Sequence, residues 1–158
     1  MVDTVRENEV QLVIFKLGAE EFGVNIAQIR EIIRVGDITK MPGCPRYVEG
    51  VINLRGQVTT VVNLRSRLGL EGKTMDVSNR IMILEVNKSL VGVMVDAVTE
   101  VKNLDATHIK PLPGALTNAI NSDYFQGVGK IDNRLLILVD LEKVIREDAE
   151  QIAHGITA

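Results

Sequence analysis

Few side chains in this chain could carry chemistry. His108 and His154 are the only imidazoles, the one group whose ordinary pKa suits proton transfer near neutrality. His108 lies in a polar stretch before Pro111 and His154 near the C-terminus, so both read as surface residues. Cys44 is the single cysteine. It permits no internal disulfide and suits a reducing compartment. One Cys and two scattered His supply no zinc set, and neither metal nor cofactor is expected. Glu20-Glu21 reads as a solvated hairpin tip. Asp96, inside the apolar run Gly92-Val93-Met94-Val95-Asp96-Ala97-Val98, has two readings: a hydrogen-bonding group at a strand end, the plainer one, or a buried acid. No phosphate-binding glycine loop occurs, and Gly127-Val128-Gly129 reads as close barrel packing. Catalysis therefore has little to rest on.

The segment Val48-Glu49-Gly50-Val51-Ile52-Asn53-Leu54-Arg55-Gly56 is more informative. An Arg between apolar strands at a Gly turn is either a solvent-facing charge or a guanidinium held by a carboxylate at the rim of an interface. The planar fork of Arg favours such a place. Glu31 is the candidate carboxylate. Ile29 and Ile33 read as core rather than contact surface.

The elements that position these residues are mostly strands. Short apolar runs rich in β-branched residues recur at 12–15, 48–54, 58–64, 80–86, 90–95 and 135–139, bounded by Gly, Asn, Asp and Pro, as strands are. Gly18-Ala19-Glu20, Asn87-Lys88-Ser89 and Asp132-Asn133 have hairpin-turn chemistry. Ile26, Ile29, Ile32 and Ile33, with Asn25 as N-cap, predict a short amphipathic helix carrying Glu31. Leu64 to Leu68 fits one helical turn. Leu141, Val144, Ile145 and Ile152 predict a C-terminal helix capped by Asp140.

The chain also resembles itself. Residues 12–15 align with 81–84 and 22–24 with 91–93 at an offset of 69, 38–43 with 109–114 at about 71, and 50–64 with 127–141 at 77. The offset grows in order, as an insertion would make it, and Leu116 to Asp123 is its natural place. The expected organisation is one domain over 10–147, with repeats over about 10–78 and 79–147, and flexible ends at 1–9 and 153–158. Two halves of about five strands suggest two small barrels, each too small to stand alone. They should pack together, leaving an apolar groove at the join.

Composition agrees. The 158 residues are 46% hydrophobic and 25% charged, with net charge −3, 3% aromatics and no Trp. That is an ordinary globular balance. It disfavours a nucleic-acid binder, which needs positive charge and stacking rings. The first ten residues lack an apolar signal-peptide core, and no run is long enough to span a membrane.

Several motifs together resemble the CheW-like domain family: Phe15-Lys16-Leu17-Gly18 through Glu21-Phe22-Gly23-Val24-Asn25-Ile26, Ile29-Arg30-Glu31-Ile32-Ile33-Arg34, and above all Gly50-Val51-Ile52-Asn53-Leu54-Arg55-Gly56, then Val61-Val62-Asn63-Leu64-Arg65, Val91 to Val98, Gly127-Val128-Gly129 and Leu136 to Asp140. The resemblance covers about 10–147. It implies a mostly β fold of two packed SH3-like five-stranded β-barrels with a short helix and a C-terminal helix. It further implies a non-catalytic cytoplasmic chemotaxis adaptor, recruited to membrane-associated arrays, that joins chemoreceptor tips to the histidine kinase CheA. Implied partners are the kinase's regulatory domain, the receptor's cytoplasmic tip and other CheW-like domains in array rings, with neither nucleic acid nor membrane insertion. The alternative is a CheW-like module of a larger CheA or CheV-type protein.

Carried onto this chain, the resemblance places receptor binding at Ile29, Arg55, Ile81, Gly92, Val101 and Gly127. Kinase binding falls at Ile38, Thr39, Met41, Gly50 and Gly56, with Glu31 and Arg55 as a polar brace. Arg55→Ala or Gly50→Asp should then weaken coupling in a folded protein. Two positions depart from the family pattern: Thr60 stands where Pro is common and Asn63 where Asp is common.

Overall fold

The computed structural model describes residues 8–70, 75–113 and 124–146, which form two sheets. Sheet A runs in the order β8 (Ala97–Asp105), β1 (Glu9–Leu17), β2 (Glu20–Asn25), β11 (Arg134–Val139), β10 (Phe125–Ile131) and β9 (Ile109–Lys110). Sheet B runs β3 (Glu31–Arg34), β6 (Arg80–Val86), β7 (Ser89–Val95), β5 (Gln57–Asn63) and β4 (Val48–Leu54). A single turn of helix, α1 (Leu64–Arg67), follows β5, and the described residues 141–146, α2, are helical after β11.

Each sheet closes on itself. In sheet A the outer strands β8 and β9 are joined by one 3-10 turn, Ala106–His108, whose Thr107 N–H is capped by the Asp105 carboxylate at 2.9 Å. They act as one bent strand, so the six strands make a five-stranded barrel, as expected. In sheet B the chain leaving β3 bridges β4 through Thr39 and Val51. Local turn chemistry sets the hairpins: Asn87-Lys88 and Asp132-Asn133 both adopt positive φ, the conformation that two-residue turns between twisted strands require.

Barrels and sequence repeats do not coincide. Barrel A takes β1 and β2 from the first repeat and β8 to β11 from the second; barrel B takes β3 to β5 from the first and β6 and β7 from the second. Each repeat lends its leading hairpin to the other barrel, joined through the parallel pairs β2–β11 and β5–β7. The chain crosses between sheets twice, at residues 26–30 and at Asp96.

Strands at the centre are buried on both faces. Leu12 and Ile14 of β1 point into barrel A, whereas Val13, Phe15 and Leu17 point to the join. Ile81 and Ile83 of β6 fill barrel B, and Met82, Leu84 and Val86 face the join. The join gathers eighteen buried residues against six in each barrel interior. Burying a large aliphatic side chain contributes about 1.5–3 kcal/mol, so the join is the principal core.

Two expectations change. The helix over 26–33 is one 3-10 turn, Ile26–Gln28, followed by β3. Asn25 does cap it, accepting from Ala27 N–H at 2.9 Å. Two adjacent β-branched Ile then prefer the strand, and Arg30 N–H donates to Ile83 O at 2.7 Å to start the pairing with β6. Second, β1 begins at Glu9, inside the stretch expected to be a loose end. Leu116 to Asp123, Ile152, His154 and the end at 153–158 lie outside the described residues.

Candidate functional site

Barrel B carries the densest set of expected residues. Arg55 and Gly56 form the two-residue β4–β5 turn, with φ of 49° and 87° and the Asn53 side chain accepting from Gly56 N–H at 2.7 Å. The turn projects the Arg55 guanidinium toward β3, where both of its terminal nitrogens donate to the Glu31 carboxylate, Nη1 to Oε1 at 3.1 Å and Nη2 to Oε2. β3 and β4 are the outer strands of sheet B, so the brace spans the line along which the barrel closes. Hydrogen bonding from Arg55 holds the Glu31 pKa below its ordinary value and raises that of Arg55. The expected brace is therefore formed, with Glu31 on a strand rather than a helix.

Thr39 and Met41 are exposed and Ile38 is half-buried; they flank β4 where Thr39 bridges Val51, four residues along the strand from Arg55, which gives this side of barrel B a mixed apolar and polar surface. Gly50 is buried, with φ +147°, and a Cβ there would lie 2.2 Å from Thr39 O. It lets the Thr39 segment cross β4, so Gly50→Asp would break the barrel instead of leaving it folded. Gly127 repeats this in barrel A, with φ +145° and a Cβ 2.3 Å from Lys110 O.

The six residues assigned to the receptor are not brought together as one surface. Ile81, Gly92 and Gly127 are buried and offer a partner no side chain. Gly92 admits Ile81, since a Cβ would lie 2.7 Å from its Cγ2. Ile29 packs half-buried against the join. Val101, 46% exposed, shares its face of sheet A with Val13. Ile32, sixty-nine residues earlier, is 38% exposed and pairs with Met82 in the same manner. The join itself is filled by the chain's own side chains. Ile32 and Val101 are thus exposed apolar side chains at two rims of it, one on the outer strand β3 and one on the outer strand β8. A concavity of about 930 Å³ lies elsewhere, on β10 and β11, lined by His108, Lys110, Val128, Leu135 and Ile137 among others. None of the expected residues lines it.

Some groups escaped the sequence reading. Glu21 is no solvated tip: Arg134 donates to it at 3.1 Å and to Glu100 at 2.9 Å. Its hydrogen bond to Glu100 is the first cause of the raised Arg134 pKa. Glu100 is the repeat equivalent of Glu31 at the offset of 69, so barrel A has its own brace. Tyr47 and Tyr124 also occupy equivalent positions, and the Arg67 guanidinium lies against both rings, 5.5 and 5.2 Å from their centres. The offset of 77 was the signal for that pair. Asp96 is the strand-end hydrogen-bonding group expected, accepting from Gly18 N–H at 2.6 Å. Among the described residues no group of three or more His, Cys, Asp or Glu could hold a metal ion.

The CheW-like domain profile matches residues 11–149. The chain belongs to the CheW-like domain family. The chemotaxis protein CheW of Rhizobium meliloti is 35% identical over 143 residues, covering 90% of this chain and 92% of that protein. CheW of Klebsiella aerogenes is 34% identical over 147 residues, covering 92% and 87%. The crystal structure of the scaffolding protein TtCheW from Thermoanaerobacter tengcongensis superposes with a TM-score of 0.80 at 31% identity, covering 92% of this chain and 93% of that one. The two barrels are thus those of a CheW-like fold. One of the two positions expected to depart from the family pattern has a local explanation: Asn63 caps α1 through Ser66 N–H at 3.3 Å and donates from Nδ2 to Glu49 at 2.7 Å. An Asp there would set two carboxylates face to face. Thr60, the other departure, sits in β5 between β4 and β7.

Proposed function

We propose that the protein is a chemotaxis adaptor that couples methyl-accepting chemoreceptors to the histidine kinase CheA as a non-catalytic scaffold. The observation that carries this reading is the Arg55 guanidinium, which is 68% exposed yet fixed by a two-point contact with Glu31. An exposed cation held in one geometry contributes little to stability. It is well suited to recognition, because less side-chain freedom remains to be lost on docking. Gly56 adjoins it in the turn, and Ile38, Thr39 and Met41 flank β4 further along; we assign this side of barrel B to the kinase regulatory domain and move Arg55 there from the receptor set. Buried Gly50 shapes it from beneath.

The receptor tip, a helical hairpin, presents apolar side chains at helical spacing and lies along the rim of the join, against Ile29, Ile32 and Val101, helix-in-groove fashion. Ile81 and Gly92, packed inside barrel B, and Gly127, packed against Lys110 in barrel A, are not proposed as receptor contacts. Weak contacts of this kind gain strength in an array, where tethered neighbours raise the effective concentration, and other CheW-like domains complete the ring. No described helix is long and apolar enough to cross a membrane, and recruitment to the membrane would come through the receptor.

The match along most of each CheW relative favours this reading over that of a module of a larger CheA or CheV-type protein. The test is a pull-down with a receptor cytoplasmic fragment and, separately, with the kinase regulatory domain. Arg55→Ala is expected to lower capture of the kinase domain, and Val101→Glu that of the receptor fragment. Unchanged capture of both rejects these assignments.

A further inference from the structure

Apolar burial at the join does not choose an angle between the barrels. Hydrophobic attraction is proportional to area and non-directional, so a slightly rotated pair would bury nearly as much. Directional bonds narrow the angle further: Arg67 Nη2 donates to Tyr124 OH at 2.6 Å, and more such bonds lie where the chain passes from one sheet to the other. At Asp96, between β7 of barrel B and β8 of barrel A, three segments meet. The Gly18 N–H of the β1–β2 turn donates to Oδ2 at 2.6 Å, and Arg65 Nη1 of α1 donates to the same oxygen at 2.8 Å. The Asp96 N–H donates to Lys16 O at 3.1 Å. The two side chains are 15% and 7% exposed, so the pair is shielded from water.

The other passage is held differently. There Gln28 Nε2 donates to Asp140 Oδ1 at 2.9 Å, and Leu141 N–H donates to Gln28 Oε1 at 3.0 Å. Both passages are therefore pinned by the start of a helix that follows the closing hairpin of a barrel. Only the Asp96 passage uses a full ion pair.

We propose that Asp96 is the positioning residue of the coupling function: through Arg65 and Gly18 it fixes one angle between the barrels, and so the spacing between the Arg55 face and the rim at Val101. The proposal rests on the adaptor reading for its consequence, but not for its geometry. Shielded ion pairs often contribute less to stability than to selecting one arrangement, which is the role assigned to this one. Neither Asp96 nor Arg65 touches a docking surface, so each single partner still binds when the pair is broken. What fails is the simultaneous fit of both.

The geometric arm uses the isolated protein with Cys44→Ser and spin labels at Val58→Cys and Leu135→Cys, exposed positions on barrels B and A. Pulsed dipolar spectroscopy should give one narrow distance distribution, broadened in Asp96→Ala and in the milder Arg65→Gln. Gly18 amide exchange should accelerate about tenfold or more, as for loss of a hydrogen bond to a charged group. The functional arm measures binding to receptor fragment and to kinase domain separately, then kinase activation with all three components. Binary Kd values are expected within about twofold of wild type while activation falls at least about fivefold. Unchanged distances and unchanged Gly18 exchange overturn the proposal, as does an activation loss matched by a loss in either binary Kd. A wild-type protein that binds neither partner counts against the adaptor reading instead, and the geometric arm still decides the angle-setting role.

Discussion

Replacing Gly50 by Ala tests how the barrels close. The new Cβ would lie 2.2 Å from Thr39 O, 2.8 Å from Thr39 C and 2.9 Å from Ile38 Cγ2, on a residue with φ +147°. A side chain in that region of backbone space costs about 1–3 kcal/mol. Relieving the clash also requires the Thr39 segment to withdraw from β4, which breaks the Thr39–Val51 pair of hydrogen bonds at 2.9 and 2.8 Å. Each such bond contributes about 0.5–1.5 kcal/mol net. The sum is about 2–6 kcal/mol, centred near 4. At the centre of that range, about 4 kcal/mol, a domain of this size loses about 8–16 °C in Tm. Gly56→Ala is the control in the same hairpin: its φ is +87°, but a Cβ meets no atom within 4 Å, so only the conformational cost of about 1–2 kcal/mol applies. Urea titration and calorimetry of both variants measure the difference. Equal losses for the two, or a Gly50→Ala protein within about 1 kcal/mol of wild type, would refute the assignment of Gly50 to barrel closure.

Further outcomes follow from the brace and the join. Because Arg55 lowers the Glu31 pKa, the stabilisation from that pair is present above the unfolded glutamate value and is lost as pH falls through the folded one. Carbon-13 titration should show the Glu31 carboxyl ionising below 4.5 in wild type and returning upward in Arg55→Ala; an unmoved titration would mean that the brace does not persist in solution. Leu84, fully buried in the join, should cost about 2–5 kcal/mol when replaced by Ala. Since the barrels share a core and each draws strands from both repeats, the protein should still unfold in one transition by circular dichroism and calorimetry. Two separated transitions would show that the barrels are independent units.

What could be read in the sequence was what local chemistry decides. Asn87-Lys88 and Asp132-Asn133 announce their turns because few residues tolerate positive φ, and the double-sided burial of β1 and β6 shows as unbroken apolar runs. The stretch from Ile26 to Ile33 misled because its isoleucines fit helical spacing as well as a strand. The deciding bond, Arg30 N–H to Ile83 O, is more than fifty residues distant in sequence. The repeat was visible, but which copy supplies the neighbour of β2 was not, because two similar halves have similar edges and either could pair. The Glu31–Arg55 brace was legible since Arg at a Gly turn has few uses. The Arg134 link to Glu21 and Glu100 was hidden by the same strand exchange that brings β11 beside β2.

The traded hairpins bear on how such a molecule could arise and how it can be divided. A polypeptide with one repeat would own the first strands of one barrel and the last strands of another, and could complete neither alone. Two identical copies could complete both by reciprocal domain swapping, with a twofold axis through the shared core. Fusing the copies end to end turns that dimer into a monomer and removes its dependence on concentration. It also lets equivalent positions such as Asn63 and Asp140 drift apart in sequence once they no longer come from the same gene segment. Severed between its repeats, the chain should regain structure only when both pieces are mixed.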